Sequence, residues 1–141
     1  MQYVKPIEIE EVLECPERYV LVDVRTAAEF AVGSILGSIN IPLFNEVERE
    51  RIGKVYNKNP KSARFLAMDI VSPKISSFVR KTYARCRDRI PVAVCWRGGM
   101  RSLAAAQLLA LAGIDALQLR GGYKHYRQYI YHQLDEYTLK A

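Results

Sequence analysis

Pro91-Val92-Ala93-Val94 runs directly into Cys95-Trp96-Arg97-Gly98-Gly99-Met100-Arg101-Ser102, and that in turn into the near-uniformly apolar Leu103-Ala104-Ala105-Ala106-Gln107-Leu108-Leu109-Ala110-Leu111-Ala112. A short apolar run, a glycine-bearing gap and a longer apolar run read as a buried strand, a loop and a buried helix. Such a loop can curl its backbone N–H groups toward the cysteine sulfur, with the helix N-terminus beneath it. Oriented amides together with Arg97 and Arg101 would favour the thiolate, which is the nucleophilic form of cysteine. The pattern points to sulfur, selenium or phosphorus chemistry at Cys95. A lone cysteine at a strand end is more often packing; the glycines and paired arginines that follow it reverse that judgement.

Helical and strand patterns alternate along the rest of the chain. Ile7 to Leu13 reads as a short helix ended at Cys15-Pro16, because proline disfavours helical geometry in the residue before it. Tyr19-Val20-Leu21-Val22-Asp23-Val24 is a mostly apolar run, as expected of a strand covered on both faces. Thr26 can cap a helical turn over Ala27-Ala28-Glu29-Phe30, and Gly33 and Gly37 mark turns before a strand at Ser38-Ile39-Asn40-Ile41. A polar helix is expected from Asn45 to about Lys58, broken at Asn59-Pro60. A second is expected from Pro73 to Arg87, with Ile75, Phe78, Val79 and Tyr83 on one buried stripe. The helix after the cysteine loop ends at Gly113; Asp115 to Leu119 is a strand, and Tyr123 to about Tyr137 a final helix. This alternation predicts one α/β domain over residues 1–141, a mostly parallel sheet with helices on both faces. Ligands in such sheets bind beyond the carboxyl ends of the strands, where Cys95 falls.

Composition narrows the function classes. The 141 residues suffice for a real core, and no apolar stretch is long enough to span a bilayer. The start, Met1-Gln2-Tyr3-Val4-Lys5-Pro6, lacks a signal-peptide pattern, so a cytoplasmic protein with no membrane association is expected. Three cysteines, Cys15, Cys86 and Cys95, with no Cys-x-x-Cys pair, argue against a disulfide framework or a structural zinc, and no metal site is expected. His125 and His132 read as surface residues, Trp96 as a possible lid on the loop, Met100 as possible core, and Gly121-Gly122 as a possible helix-initiating turn. The net charge of +6 gathers at Arg49 to Arg64, at Arg80 to Arg89, and at Arg120, Lys124 and Arg127. The third group interleaves with Tyr123, Tyr126, Tyr129 and Tyr131. Basic surfaces attract polyanions and adjacent aromatics can stack on unpaired bases, although solvated helix faces look the same in sequence.

Val22-Asp23-Val24-Arg25, Glu29-Phe30, the run Gly33 to Pro42 and the cysteine loop together resemble a rhodanese domain over nearly the whole chain. Within that family the chain is most similar to the rhodanese portion of the tRNA 2-selenouridine synthases. The similarity rests on Cys95 to Ser102, on Arg120-Gly121-Gly122-Tyr123-Lys124-His125-Tyr126-Arg127, and on the charged insertion beginning Leu43-Phe44-Asn45-Glu46. Ser34 stands where many rhodanese domains carry histidine. The resemblance implies a sulfurtransferase or selenotransferase in which Cys95 carries the chalcogen, as a persulfide or perselenide, for sulfur-to-selenium exchange at 2-thiouridine of tRNA. It further implies that the amides of Trp96 through Arg101, including Gly98, Gly99 and Met100, stabilise the anionic sulfur. Arg97 and Arg101 would hold the donor's phosphate or the tRNA backbone, while Asp23, Arg25 and Ser102 support the loop. For Asp23 and Arg25 a structural ion pair is expected.

No tightly bound cofactor is expected; selenophosphate or thiosulfate would be a donor substrate. Full-length synthases of this kind continue into a P-loop domain, and nothing here matches Gly-x4-Gly-Lys-Ser/Thr, since Gly53-Lys54-Val55 departs from it on both sides. Three readings follow: one half of a split enzyme, a piece of a longer protein, or an independent sulfurtransferase. Under the first, the partners are tRNA and a separate P-loop protein, with the final helix offering Tyr126, Tyr129, Ile130, Leu134 and Tyr137 as one stripe. Oligomeric state is not legible. Three alternatives stay open: a stand-alone thiosulfate sulfurtransferase, a non-catalytic rhodanese-like binding module, and a cysteine-dependent phosphatase. The last shares the five-residue gap between Cys95 and Arg101, but has Val94 where such phosphatases commonly carry histidine.

Overall fold

In a computed structural model describing residues 4–140, β1 (Lys5–Ile7), β2 (Tyr19–Asp23), β3 (Ile39–Asn40), β4 (Ile90–Val94) and β5 (Leu117–Leu119) form one parallel sheet. The strand order is β1-β5-β4-β2-β3. β2 and β4 sit side by side in register from Tyr19 opposite Ile90 to Asp23 opposite Val94. All five residues of β2 are buried, which is why the run is apolar without alternation. Its odd and even positions nevertheless serve different cores. Val20, Val22, Ala93 and Cys95 join Phe78 and Cys86 of α5 (Ile75–Cys86) and Ala105, Ala106 and Leu109 of α6 (Met100–Leu111). Tyr19, Leu21, Val92 and Val94 join Ile9 and Val12 of α1 (Ile9–Glu14) and Tyr123, Tyr126 and Tyr129 of α7 (Gly122–Lys140). Each fully buried aliphatic side chain contributes about 1.5–3 kcal/mol, so both helical layers are required to hold the sheet.

Two elements went unread in the sequence. β1 is an edge strand interrupted by Pro6, a residue that edges tolerate and central strands do not; it pairs with β5 from Lys5 opposite Leu117. Ile7, expected in the first helix, belongs to this strand instead. α4 (Pro60–Val71) begins where α3 (Glu46–Lys58) was expected to stop the helical segment. Asn59 caps it by accepting from the Lys61 and Ser62 N–H groups at 3.1 and 3.2 Å. Pro60 then occupies the first helical position, where its missing N–H costs nothing. The same proline thus ends one helix and starts the next. α3 and α4 pack on each other as a hairpin.

The expected cap at Thr26 is present as a reciprocal capping box with Glu29 at the start of α2 (Ala27–Val32), and Asn45 forms a second such box with Glu48 at the start of α3. Tyr83 is 63% exposed, contrary to the expected stripe on α5; the buried line runs through Phe78, Thr82 and Cys86. Thr82 is accommodated because its hydroxyl donates to Phe78 O at 2.8 Å. Burial pushes the Cys86 thiol up, against the opposing charges of Arg89 and Arg85. Among the described residues, no helix is long and apolar enough to cross a membrane.

Candidate active site at the cysteine loop

Cys95 follows the last residue of β4 and is 3% exposed. Its Sγ accepts from the Gly99 N–H at 3.1 Å and lies 3.0 Å from Ser102 Oγ. Gly99 is the N-cap of α6, so the sulfur meets a helix N-terminus through one of its unsatisfied amides. Ser102 Oγ also contacts Gly99 O at 3.2 Å and accepts from Gln118 Nε2 at 2.9 Å. A hydroxyl has one proton. With Cys95 as a thiol, its S–H can donate to Ser102, which donates onward to Gly99 O. With Cys95 as a thiolate, the Ser102 proton can turn to the sulfur. Ser102 is therefore matched to both protonation states.

The amides of Trp96 through Arg101 were expected to converge on the sulfur; among the described residues, the one hydrogen-bonded to it is that of Gly99. The loop's first carbonyls serve α7 instead: Cys95 O accepts from Tyr123 N and Trp96 O from Lys124 N, both at 2.9 Å. These bonds satisfy N–H groups of the first turn of α7 and dock the loop onto it. The close approach needs Gly122, which has φ +60°; a Cβ there would overlap Cys95 O and come within 2.7 Å of Gly98 N and 2.8 Å of Trp96 O. Gly122→Ala is therefore expected to destabilise the fold by at least about 1–3 kcal/mol, from the left-handed backbone alone, before the collision with backbone atoms. Urea unfolding measures this; a midpoint equal to that of the unsubstituted protein would show that the loop does not depend on that contact.

Gln118 was missed in the sequence. Its Nε2 donates to Gly98 O at 2.8 Å, Gly99 O at 3.1 Å and Ser102 Oγ at 2.9 Å, tying β5 to the loop. A polar residue inside Leu117-Gln118-Leu119 was the available signal. On the other side of β4, Asp23 and Arg25 form the expected ion pair. Arg25 Nε lies 3.0 and 3.1 Å from the two Asp23 oxygens, Nη2 lies 2.7 Å from Oδ2, and Nη2 also donates to Gly33 O at 2.7 Å. Asn40 Nδ2 donates to Asp23 O and Arg25 O at 3.0 and 2.9 Å, so β3 locks the same turn. The guanidinium carbon lies 4.4 Å from the Tyr123 ring centroid, linking this brace to α7.

Arg101 does not point its guanidinium into an empty loop. It forks onto Glu29, with Nη1 to Oε1 at 2.7 Å and Nη2 to Oε2 at 3.3 Å, and Arg49 of α3 adds a contact to Oε1 at 3.3 Å. The half-buried Glu29 carboxylate on α2 outcompetes solvent for that cation. Arg97 is exposed, as is Met100 at 64%, which removes Met100 from the core. Trp96 is half-buried, 5.8 Å from the Tyr123 centroid. His125 is half-buried and His132 is exposed beside Glu136.

Burial pushes the Glu29 carboxyl up, but Arg101, the Thr26 N–H and Arg49 together hold it down at about 2 from an ordinary 4.5. A group with a depressed folded pKa stabilises the fold fully above its unfolded value and loses that contribution as pH falls through the folded one. Glu29→Gln should therefore cost stability at neutral pH, and the deficit should shrink as pH falls from about 4.5 toward 2. Unfolding midpoints of both proteins across that window test it; a deficit constant with pH would refute the charge pairing.

A family profile for the rhodanese-like domain matches residues 6–129. The chain is 37% identical, over 85% of its length, to a tRNA 2-selenouridine synthase of Psychromonas ingrahamii, and 32% identical, over 99%, to one of Bdellovibrio bacteriovorus. It covers 33% and 37% of those proteins, so it spans about a third of the length of the curated relatives it matches. The crystal structure of the N-terminal domain of a protein described as ATP/GTP binding, from Clostridium difficile 630, superposes with a TM-score of 0.84 at 34% identity. The match covers 89% of this chain and 98% of that one.

Proposed function

The chain belongs to the rhodanese-like domain family, and on that premise we propose that Cys95 is a sulfurtransferase-type nucleophile that carries chalcogen for tRNA modification. The observation that carries this reading is the sulfur's setting: at the end of the central strand, on the amide of Gly99 at the N-cap of α6, beside a hydroxyl able to donate or accept. With thiosulfate, the thiolate attacks the sulfane sulfur, the S–S bond breaks, sulfite leaves with the bonding pair, and Cys95 becomes a persulfide. Gly99 N–H and Ser102 Oγ face the sulfur that is anionic before the attack; in the persulfide the charge moves to the outer sulfur.

The relatives named tRNA 2-selenouridine synthase support a finer reading, that this is the rhodanese component of sulfur-to-selenium exchange at 2-thiouridine of tRNA, with selenophosphate as the selenium donor. Their greater length, and the Clostridium domain's place in a protein described as ATP/GTP binding, support a P-loop partner for the same reaction. A phosphatase reading gains nothing from the loop, because Arg101 is committed to Glu29 rather than aimed at a phosphate. Mass spectrometry after exposure to thiosulfate tests the carrier: Cys95 should gain one sulfur, with sulfite released in equal amount. Turnover of an aryl phosphate that requires Cys95, with no sulfur adduct from thiosulfate, would replace this reading.

A further inference from the structure

We propose that the cleft beside the cysteine loop seats one unstacked nucleobase of single-stranded RNA, between Trp96 and Tyr131 with Arg127 at its rim; this rests on Cys95 serving a tRNA. The cleft has a volume of about 450 Å³, in the range of small-molecule sites, and is lined by Trp96, Tyr123, Tyr131, Arg127, Arg25 and Glu29 among others. It opens at the residue immediately after the nucleophile and reaches, through Glu29, the partner of Arg101.

Its walls are unequal. Tyr123 is fixed: the Arg25 guanidinium lies over its ring, Trp96 tilts against it, and Gly33 leaves the space its hydroxyl fills. Tyr131 is 58% exposed, and the Arg127 guanidinium carbon lies 5.8 Å from its ring centroid. Tyr123, Arg127 and Tyr131 recur every four residues and so share one face of α7. Charge is layered: the Glu29 carboxylate is half-buried within the cleft, while Arg127 is exposed at its edge. Glu29 Oε1 already accepts from Arg101, the Thr26 N–H and Arg49, whereas Oε2 has one long contact and keeps acceptor capacity.

A ligand that satisfies these features presents a flat π face to the aromatics, an N–H edge inward to Glu29 and an anion outward to Arg127. A nucleotide within a single strand has all three, and stacking on aromatic side chains is how unpaired bases are held. Inorganic phosphate would leave the aromatic walls unused and meet the Glu29 charge. An apolar protein side chain would desolvate Glu29 and Arg127 without replacing their hydrogen bonds.

Trp96 is the chain's single tryptophan, so its fluorescence reports on the cleft directly. The 141-residue chain is titrated with a single-stranded RNA heptamer carrying 2-thiouridine at its centre, and with the same heptamer made abasic there. The base-containing heptamer should quench Trp96 and bind about five- to 150-fold more tightly than the abasic one. Tyr131→Leu should remove most of that difference. Arg127→Gln should keep the difference but weaken both heptamers and flatten their salt dependence. Equal binding of the two heptamers without quenching, or unaltered discrimination by Tyr131→Leu, would overturn the proposal and leave this face of α7 to a protein partner. Cyanide-releasable sulfur on the unsubstituted chain after thiosulfate is scored alongside. Normal loading with no base discrimination sinks the cleft alone; failure to load sinks the carrier reading on which it rests.

Discussion

Cys95→Ser is expected to lower sulfur or selenium transfer by at least about 10³-fold while shifting stability by no more than about 1 kcal/mol. The introduced hydroxyl can keep the hydrogen bonds now made by Sγ, to the Gly99 N–H and Ser102 Oγ. Neither partner can remove a proton from an alcohol, so the loop that suits a thiolate cannot activate an alkoxide. Adduct mass and cyanide-releasable sulfur measure the loss, and thermal unfolding measures the intact fold. Cys86 is buried and gives no second carrier, but Cys15 is exposed. A Cys95→Ser protein that still gained sulfur would move the chemistry to Cys15 and leave the loop a structural element.

Asp23→Ala should be the most damaging single substitution for stability, at about 3–5 kcal/mol against a typical domain stability of about 5–15 kcal/mol. Asp23 is 0% and Arg25 2% exposed, and the guanidinium keeps its charge at any working pH. Removing the carboxylate strands that cation in the interior, with Gly33 O and the Tyr123 ring as its remaining partners. It also frees the Arg25 N–H, which now donates to Asp23 Oδ1 at 3.0 Å. The cost arises from the orphaned charge rather than from any large net worth of the pair. Replacing both residues with apolar ones of similar size should accordingly recover part of the loss. Chemical unfolding of the single and double variants tests this, and a loss below about 1 kcal/mol for Asp23→Ala would show that the pair is solvated.

Much of the site was legible because its central piece is local. The strand, loop and helix around Cys95 lie in one continuous stretch, and apolar runs interrupted by glycines report that order directly. Thr26 caps α2 through a box with Glu29 closed within one turn, so its place before the helical run reveals it, whereas the equivalent pair Asn45 and Glu48 went unread. Pro60 shows where local reading is ambiguous. A proline that cannot continue one helix is well suited to begin another, and which role it takes depends on whether the following residues find something to pack against. β1 is a related case, because three residues have no periodicity to read and exist as a strand only through pairing with β5.

The sequence by itself pointed to Cys95 as the candidate nucleophile and to the acid–arginine pair, each written in residues within a few positions of one another, and to the parallel α/β order through the alternation of short apolar runs with helical patterns. Tertiary structure alone decided how Arg101 is spent, through Glu29 far earlier in the chain, and that Gln118 and Gly122 hold the cysteine loop from β5 and α7. It also decided that Trp96 and Tyr131 share a cleft. These are pairings across long chain separations. They depend on which strands lie side by side and which helix end meets which loop, and hydrophobic periodicity carries no information about that choice. A side chain such as Arg101 can satisfy its charge in several ways, and the fold selects the carboxylate it brings within reach.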